Sequence, residues 1–429
     1  MNLSGSSLAD WLIRLENYSP YEIELGLDRV LEVIERLELV LPKRIFHISG
    51  TNGKGSSVAL AQALLSQSGA SIGTYTSPHV LEFNERICVD FEPASDTDII
   101  AAFERVDTAR GDTPLTYFEF GTIAALVVFA TRQLDIAILE IGMGGRLDAV
   151  NAVEPSAGLI TNVSLDHCDW LGDDLEEIAR EKAGIMRAGK STVYASVDAP
   201  ASIQRHATER GADLVLAGRD YHWAVRADDW TWQGRRRALK NLRRPSLAGD
   251  FQIENAAGVL ALLEAAGFEE LLDVEIVNRA FAIPALAGRM QRVDTDRCWI
   301  LDVAHNPAAA GVLADTLSAD RFNGSTVAII ALLEDKDVEG VVAPLLDQVD
   351  QWITVAADSA RAISASEIGH LITRLTNNSC FVAASLHEAM EYARQCATRD
   401  DRILVTGSFY LVGPALKALG IYSTGTGGK

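Results

Sequence analysis

A short apolar run, Arg44-Ile45-Phe46-His47-Ile48, leads into Gly50-Thr51-Asn52-Gly53-Lys54-Gly55-Ser56 and then into a helix-like stretch over 57–68. No other part of the chain restricts the possible folds as sharply. A strand, a glycine-rich turn and a helix in this order open an α/β unit. The order recurs, with strands predicted over 135–139 and 157–160 and a helix over 175–186, so a mainly parallel sheet covered by helices is expected. Ahead of it, Leu12, Leu15, Leu27, Val30, Leu31, Ile34 and Leu37 recur at helical spacing and predict two amphipathic helices between Ala9 and Leu39.

The alternation resumes late in the chain. Ile283-Pro284-Ala285-Leu286-Ala287-Gly288 reads as a linker, after which strands over 299–303, 326–331, 352–356, 381–384 and 403–406 alternate with helical stretches. This is a second doubly wound domain without a G-x-G-x-x-G turn. The domain reading is 1–287 followed by 288–429. Between them, Tyr221, Trp223 and Val225 alternate, Asp228-Asp229 suggests a turn, and Trp230 and Trp232 alternate again, which predicts a small hairpin. The adjoining Arg235-Arg236-Arg237 and Arg243-Arg244 are read as a solvated hairpin edge rather than a nucleic-acid site. The Gly/Ser/Thr tail from Ser423 is expected to be disordered.

Charge narrows the functions. The 429 residues hold 59 acidic and 38 basic side chains, a net charge of −21, which disfavours nucleic acid and anionic membrane as partners. No apolar run reaches the ~18 residues that span a bilayer. Met1-Asn2-Leu3-Ser4-Gly5 lacks a basic start and an apolar stretch, so a cytoplasmic location is expected. Cys88, Cys168, Cys298, Cys380 and Cys396 show no Cys-x-x-Cys spacing and are read as buried, reduced thiols.

Four places carry chemistry. In the 50–56 loop, glycines let backbone N–H groups turn toward a phosphate, Lys54 adds a point charge and Ser56 offers a hydroxyl to Mg²⁺. The spacing departs from G-x-x-x-x-G-K-[ST], since Ile48 stands where the first glycine would and Gly55 separates lysine from serine. Glu140 ends an apolar run before Gly142-Met143-Gly144-Gly145-Arg146-Leu147-Asp148, where it reads equally as a solvated strand-end acid or as an oxygen ligand for Mg²⁺. His167 and Lys182 read by themselves as a structural histidine and a solvent-facing lysine. In Asp302-Val303-Ala304-His305-Asn306-Pro307, Asn306-Pro307 is an N-cap followed by a first-turn proline, leaving Asp302 and His305 as the functional candidates.

Together these segments resemble one family. His47 to Ser56, Ser77-Pro78-His79, Leu115-Thr116-Tyr117-Phe118-Glu119, Glu140 to Ala149, Leu165-Asp166-His167, Glu181-Lys182-Ala183-Gly184-Ile185, Asp302 to Pro307 and Thr406-Gly407-Ser408-Phe409 stand in the order found in folylpolyglutamate synthases. The resemblance runs from about Leu8 to Leu419 and is strongest to the bacterial bifunctional branch, which also makes dihydrofolate and is related to the Mur peptidoglycan ligases. It implies a Mur ligase-like N-terminal ATPase domain with a parallel-rich sheet and P-loop, plus a smaller Rossmann-like C-terminal domain that ligates glutamate. It further implies ATP-dependent amide ligation through an acyl phosphate, with L-glutamate added to 7,8-dihydropteroate and to reduced folates.

Roles follow from that resemblance. Gly50, Thr51, Asn52, Gly53, Lys54, Gly55 and Ser56 match the phosphate loop, and Ser77, Glu140 and His167 match ligands of magnesium, for which two sites are expected. Lys182 matches a lysine that carries a carbamate. Asn255, Arg289 and Asp302 match ATP contacts, and His305 is expected to orient the incoming glutamate or its phosphate-bearing partner. The pterin pocket would draw on Glu24, Leu25, Gly26, Leu27, Thr116, Tyr117, Phe118, Glu119, Leu147, Asp148 and Ala149; Tyr117 and Phe118 could equally be core residues. Two departures stand out: Phe251 replaces a common histidine, and Leu286-Ala287 replace a common Trp-Pro. A monomer acting on small molecules is expected. The rivals are a Mur-type amino-acid ligase and an ATP-binding regulatory module without ligase activity.

Overall fold

The computed structural model describes residues 7–16, 18, 24–227, 229–320 and 322–421. Asp228 of the expected turn and the tail from Ser423 lie outside these residues. Two compact units form: Met1–Val163 with Asp174–Pro245 and Ile253–Pro284, and Ser164–Asp173 with Ser246–Gln252 and Ala285–Lys429.

The first unit is built on strands β1 (Arg44–Ser49), β2 (Ile72–Tyr75), β3 (Ile87–Val89), β4 (Glu92–Pro93), β5 (Ile136–Glu140), β6 (Ala157–Ile160), β7 (Ser191–Tyr194) and β8 (Asp213–Leu216). They order as β4-β3-β2-β5-β1-β6-β7-β8. From β2 to β8 all neighbours are parallel, while β3 and β4 run antiparallel. Five of the six β1 residues are buried, as a strand covered on both faces requires. The helix Tyr117–Arg132 is apolar around most of its girth and sits inside the core with Trp11, Phe103 and Tyr75. The two expected N-terminal helices form over Leu8–Glu16 and Asp28–Leu37.

The aromatic insertion has three strands instead of the two of a hairpin: β9 (His222–Val225), β10 (Trp230–Gln233) and β11 (Ala238–Leu242), ordered β11-β10-β9. Trp230 and Trp232 are buried and donate their indole N–H groups to Arg243 O (2.9 Å) and Ala257 O (3.2 Å). The arginine run occupies the β10–β11 turn. There the main-chain N–H groups of Arg235, Arg236 and Arg237 all donate to the buried Glu264 carboxylate, at 2.8–2.9 Å. The turn is therefore held by the backbone of these residues, and Arg235 and Arg236 side chains are spent on Asp213, Asp220 and Glu269.

The second unit has β12 (Gln291–Asp294), β13 (Cys298–Asp302), β14 (Thr326–Ile330), β15 (Gln351–Thr354), β16 (Phe381–Val382) and β17 (Arg402–Thr406), ordered β12-β13-β17-β14-β15-β16. Only β12 is antiparallel, and its polar Gln291-Arg292-Val293-Asp294 sequence offers no strand signal. Ile300, Leu313, Ala328, Ile330, Trp352, Ile368 and Leu404 form the core. Among the described residues no helix is long and apolar enough to cross a membrane. All five cysteines are free, but Cys298 alone is buried and Cys168 is exposed, against the expectation of five buried thiols. Cys168 opens a four-residue helix, Cys168–Leu171, which buries Leu171 and leaves its first residue outside.

Candidate active site

In the first unit the site assembles beyond the carboxyl ends of β1, β5 and β6. The helix after β1 starts at Lys54, three residues earlier than its apolar pattern suggests, so Lys54, Gly55 and Ser56 form its first turn and only 50–53 is loop. The orphan N–H groups of that turn supply the positive end of the helix dipole. Gly53 holds φ +83, a conformation that favours glycine, and a Cβ there would lie 2.5 Å from Asn255 Oδ1. Asn255 is buried and comes from the helix Phe251–Ala265, so two of the predicted ATP contacts meet although about 200 residues separate them in the sequence. Lys54 Nζ donates to Gly50 O and Thr51 O, both at 3.1 Å, which folds the ammonium over the loop.

Sequence reading missed Thr161 and Asn162. Just past β6, Asn162 O accepts from Thr51 N (3.0 Å), its Oδ1 accepts from Asn52 N (3.1 Å), and its Nδ2 donates to Asn52 O (3.1 Å). Thr161 Oγ1 also donates to Asn52 O (2.6 Å), and a Cβ on Gly50 would collide with that hydroxyl. A Thr-Asn pair closing a strand is the signal that could have found them.

Glu140 is the last residue of β5 and only 5% exposed, so the solvated strand-end reading fails. It accepts from Ser77 N at 3.3 Å, and a Cβ on Gly55 would stand 3.8 Å from its Oε2. A buried carboxylate beside Ser77 and the loop hydroxyls is an oxygen-rich set that suits a hard divalent cation. Among the described residues no three His, Cys, Asp or Glu side chains gather as a metal-binding group.

The 142–149 loop joins this corner to a second one. Ser49 Oγ donates to Gly144 O at 3.0 Å, and a Cβ on Gly145 would press on the Glu181 and Lys182 carbonyls at 2.8 and 2.9 Å. Lys182 is 4% exposed, against the solvent-facing reading, while its neighbour Glu181 takes Arg146 at 2.8 Å. Asp148 is buried and accepts from Met143 N (2.8 Å) and Val150 N (3.0 Å). Burial raises its pKa to about 7 against the pull of those donors and of Lys54. Leu147 is half-buried and Ala149 buried.

Thr116 caps the helix Tyr117–Arg132 and forms a capping box with Glu119. Phe118 and Tyr117 are half-buried in its first turn. The Phe118 ring lies 6.1 Å from Tyr75 and would meet a Cβ on Gly142 at 2.5 Å. Tyr117 faces Phe83 at 6.0 Å and the Arg86 guanidinium at 5.4 Å. Glu24 is exposed, and Leu25, Gly26 and Leu27 are half-buried ahead of the helix Asp28–Leu37.

The second unit gathers the remaining candidates. Asp302 ends β13 and accepts from Met290 N and Ala304 N, both at 2.8 Å; burial raises its pKa although Arg289 and these donors oppose. Arg289 stacks over Phe409 at 5.2 Å. Asn306 caps the helix Pro307–Ala319, as its sequence predicts. His305 Nδ1 hydrogen-bonds Val303 O (2.8 Å), and its Nε2 faces Asp166 at 3.8 Å. Asp166 also accepts from Asn306 Nδ2 (2.9 Å) and Lys336 Nζ (3.0 Å). Burial would raise Asp166, but His167, His305 and Lys336 carry it well below the usual carboxylate range. His167 holds φ +53 next to it, at the start of the Cys168–Leu171 helix. The ring of Phe251, the departure from histidine, packs so closely on Gly249 that a Cβ there would collide with it. A 790 Å³ depression lined by Arg292, Asp294, Cys298 and Arg399 opens at the other ends of these strands and collects none of the candidates.

Comparison with known proteins identifies relatives over nearly the whole chain. The "Mur ligase middle domain" family matches residues 48–263, and "Mur ligase, glutamate ligase domain" matches 288–409. The chain is 38% identical to a dihydrofolate synthase/folylpolyglutamate synthase of Escherichia coli K12, over 97% of this chain and 96% of that protein. Among solved structures, E. coli FolC in complex with DHPP and ADP superposes with a TM-score of 0.91 at 36% identity, covering 98% of this chain and 99% of that one. A bifunctional folylpolyglutamate synthase/dihydrofolate synthase with Mn, AMPPNP and L-glutamate bound gives 0.88 at 38% identity, covering 97% and 98%.

Proposed function

The chain belongs to the Mur ligase family and, within it, to the dihydrofolate synthase/folylpolyglutamate synthases, and from that premise we propose that it uses ATP to join L-glutamate to dihydropteroate and to reduced folates. The observation that carries the reading is the phosphate-type loop clamped by Thr161 and Asn162, with the buried Glu140 carboxylate at its side.

A substrate carboxylate oxygen attacks the γ-phosphorus of ATP, and the bond to the bridging oxygen breaks with its electron pair leaving on ADP. The acyl phosphate so formed is attacked at its carbonyl carbon by the uncharged amine of L-glutamate. Inorganic phosphate leaves with the C–O electron pair, and the proton given up by the nitrogen ends on the released phosphate. Such chemistry needs position and charge compensation more than a nucleophilic side chain.

The chain's own groups supply both. N–H groups of the 50–56 segment bind phosphate, and Lys54 shifts its ammonium from the Gly50 and Thr51 carbonyls to the phosphoryl oxygens. Arg289, Asp302 and Asn255 bind the nucleotide, and His305 orients the incoming glutamate. Ser77, Glu140 and His167 would hold magnesium at two sites, with Lys182 supplying an oxygen as a carbamate; the ion, when bound, offsets charge on the phosphoryl oxygens. Glu24 to Leu27, Thr116 to Glu119 and Leu147 to Ala149 form the pterin pocket. Dihydropteroate ends in a benzoate carboxylate and tetrahydrofolate in a γ-carboxylate farther out, so the pterin sits at two depths while the reacting carboxylate keeps one place.

The test is ADP release by the purified enzyme with MgATP. Release should require L-glutamate together with either dihydropteroate or tetrahydrofolate. Release that ignores the pterin substrate, or none with either one, refutes the reading.

A further inference from the structure

Two of the three segments assigned to the pterin pocket are tied together by a residue that carries no role in the reading above. Arg29, in the first turn of the helix Asp28–Leu37, points its guanidinium at both. Nη1 donates to Glu24 Oε1 at 2.6 Å, while Nη2 donates to Glu24 O at 3.0 Å and to Glu119 Oε1 at 2.8 Å. The other Glu119 oxygen accepts from Thr116 N at 2.8 Å. Both oxygens of this carboxylate are therefore engaged inside the protein, and its side chain is only 4% exposed. That arrangement makes Glu119 a brace, as Thr116 is the buried cap of the same helix, and leaves the half-buried Tyr117 and Phe118 as the side chains of this segment open to a substrate.

We propose that Arg29 is a positioning residue for the pterin substrate: its guanidinium locks the 24–27 segment to the first turn of the helix Tyr117–Arg132 and so sets the width of the pocket. The proposal rests on the pterin-pocket assignment made above. Its physical basis is the shape of the group. A planar guanidinium presents several donors in a fixed fork, so one side chain can hold a main-chain carbonyl and two carboxylates at once. A lysine offers the charge without the fork. The Arg29 side chain is 20% exposed, and its buried Nε has no partner among the described residues, so the three bonds to Glu24 and Glu119 hold the group in place. Without Arg29, Glu119 becomes a buried carboxylate lacking its cation, and the 24–27 segment loses its anchor to the helix.

The test compares Arg29→Ala, Arg29→Lys, Glu24→Ala and Asp148→Asn by steady-state kinetics on dihydropteroate and on tetrahydrofolate, with thermal melting alongside. Arg29→Ala should raise KM for the pterin substrates about tenfold while KM for ATP and for L-glutamate stays within about twofold. Arg29→Lys should recover part of that loss, and Glu24→Ala should cost about two- to threefold. A purely structural role would lower the melting point and disturb all three substrates alike, which overturns the proposal. Should Arg29→Ala fail to fold, the Lys and Glu24 variants decide by the same split between pterin and ATP. If Asp148→Asn raises the pterin KM and the Arg29 and Glu24 variants do not, the clamp fails and the pocket stands. If no variant moves the pterin KM, both fall.

Discussion

Gly53 and Gly69 hold almost the same backbone conformation, φ +83 and φ +78, in different surroundings. A Cβ on Gly69 meets nothing within 4 Å, whereas one on Gly53 lies 2.5 Å from Asn255 Oδ1 and 3.1 Å from its Cγ and Nδ2. Gly69→Ala should therefore lose only the left-handed backbone term, about 1–2 kcal/mol. Gly53→Ala loses that and must also push Asn255 aside, through a strained rotamer or a lost hydrogen bond, for about 1 kcal/mol more. If Asn255 holds the nucleotide, its displacement removes about one hydrogen bond, worth ~0.5–1.5 kcal/mol, and KM for ATP rises roughly 2- to 13-fold. Urea unfolding of Gly69→Ala, Gly53→Ala, Asn255→Ala and the Gly53→Ala/Asn255→Ala double variant measures the first part. The extra loss at Gly53 should vanish in the Asn255→Ala background, since the Cβ then has room. Equal losses in the two backgrounds would refute the clash. An unchanged KM for ATP in Gly53→Ala and Asn255→Ala would remove Asn255 from the nucleotide site.

If the Lys54 ammonium serves the phosphoryl oxygens as proposed, Lys54→Ala should lower kcat by about 10²–10³ while stability falls by no more than about 1 kcal/mol, since the hydrogen bonds given up are those to two loop carbonyls; a mutant that keeps most of its turnover defeats the assignment. His47 is fully buried, neither ring nitrogen is hydrogen-bonded among the described residues, and burial, assisted by Arg187, pushes its pKa down to about 3. The unfolded chain takes up that proton near pH 6.5, so the contribution is complete above that pH and is lost as the pH falls toward 3, the loss amounting to about 2 kcal/mol by pH 5. His47→Met should flatten the acid limb of the stability curve by that amount, and coincident curves for the two proteins would count against it. Phe118→Ala should raise KM for dihydropteroate more than for tetrahydrofolate, with about 1–2 kcal/mol of lost stability from a half-buried ring; equal kinetic losses with a lowered melting temperature would make Phe118 a core residue.

What could be read from the chain alone was local. The strand, glycine turn and helix at 44–65 declare themselves because periodicity and glycine content act within a few residues, and Asn306-Pro307 likewise caps its own helix. The ordered motifs carried the family, since fixed order over most of a chain is specific where a single motif is not. Burial was another matter. Lys182 beside Glu181 reads as solvent-facing until Gly145 and the 142–149 loop are seen packed on its backbone, and Cys168 reads as buried until it proves to lie on an exposed one-turn helix. The arginine run reads as a solvated hairpin edge, and only the fold shows its main chain wrapped on Glu264, nearly 30 residues away. The contacts that shape the site span longer gaps: Arg29 to Glu119 crosses 90 residues, Asn52 to Asn162 crosses 110, and Lys336 to Asp166 crosses 170. Neighbouring residues bias dihedral angles and the period of the apolar pattern. Partners in a buried ion pair or a clamped loop are chosen by strand order and crossover, and only the folded chain brings them together.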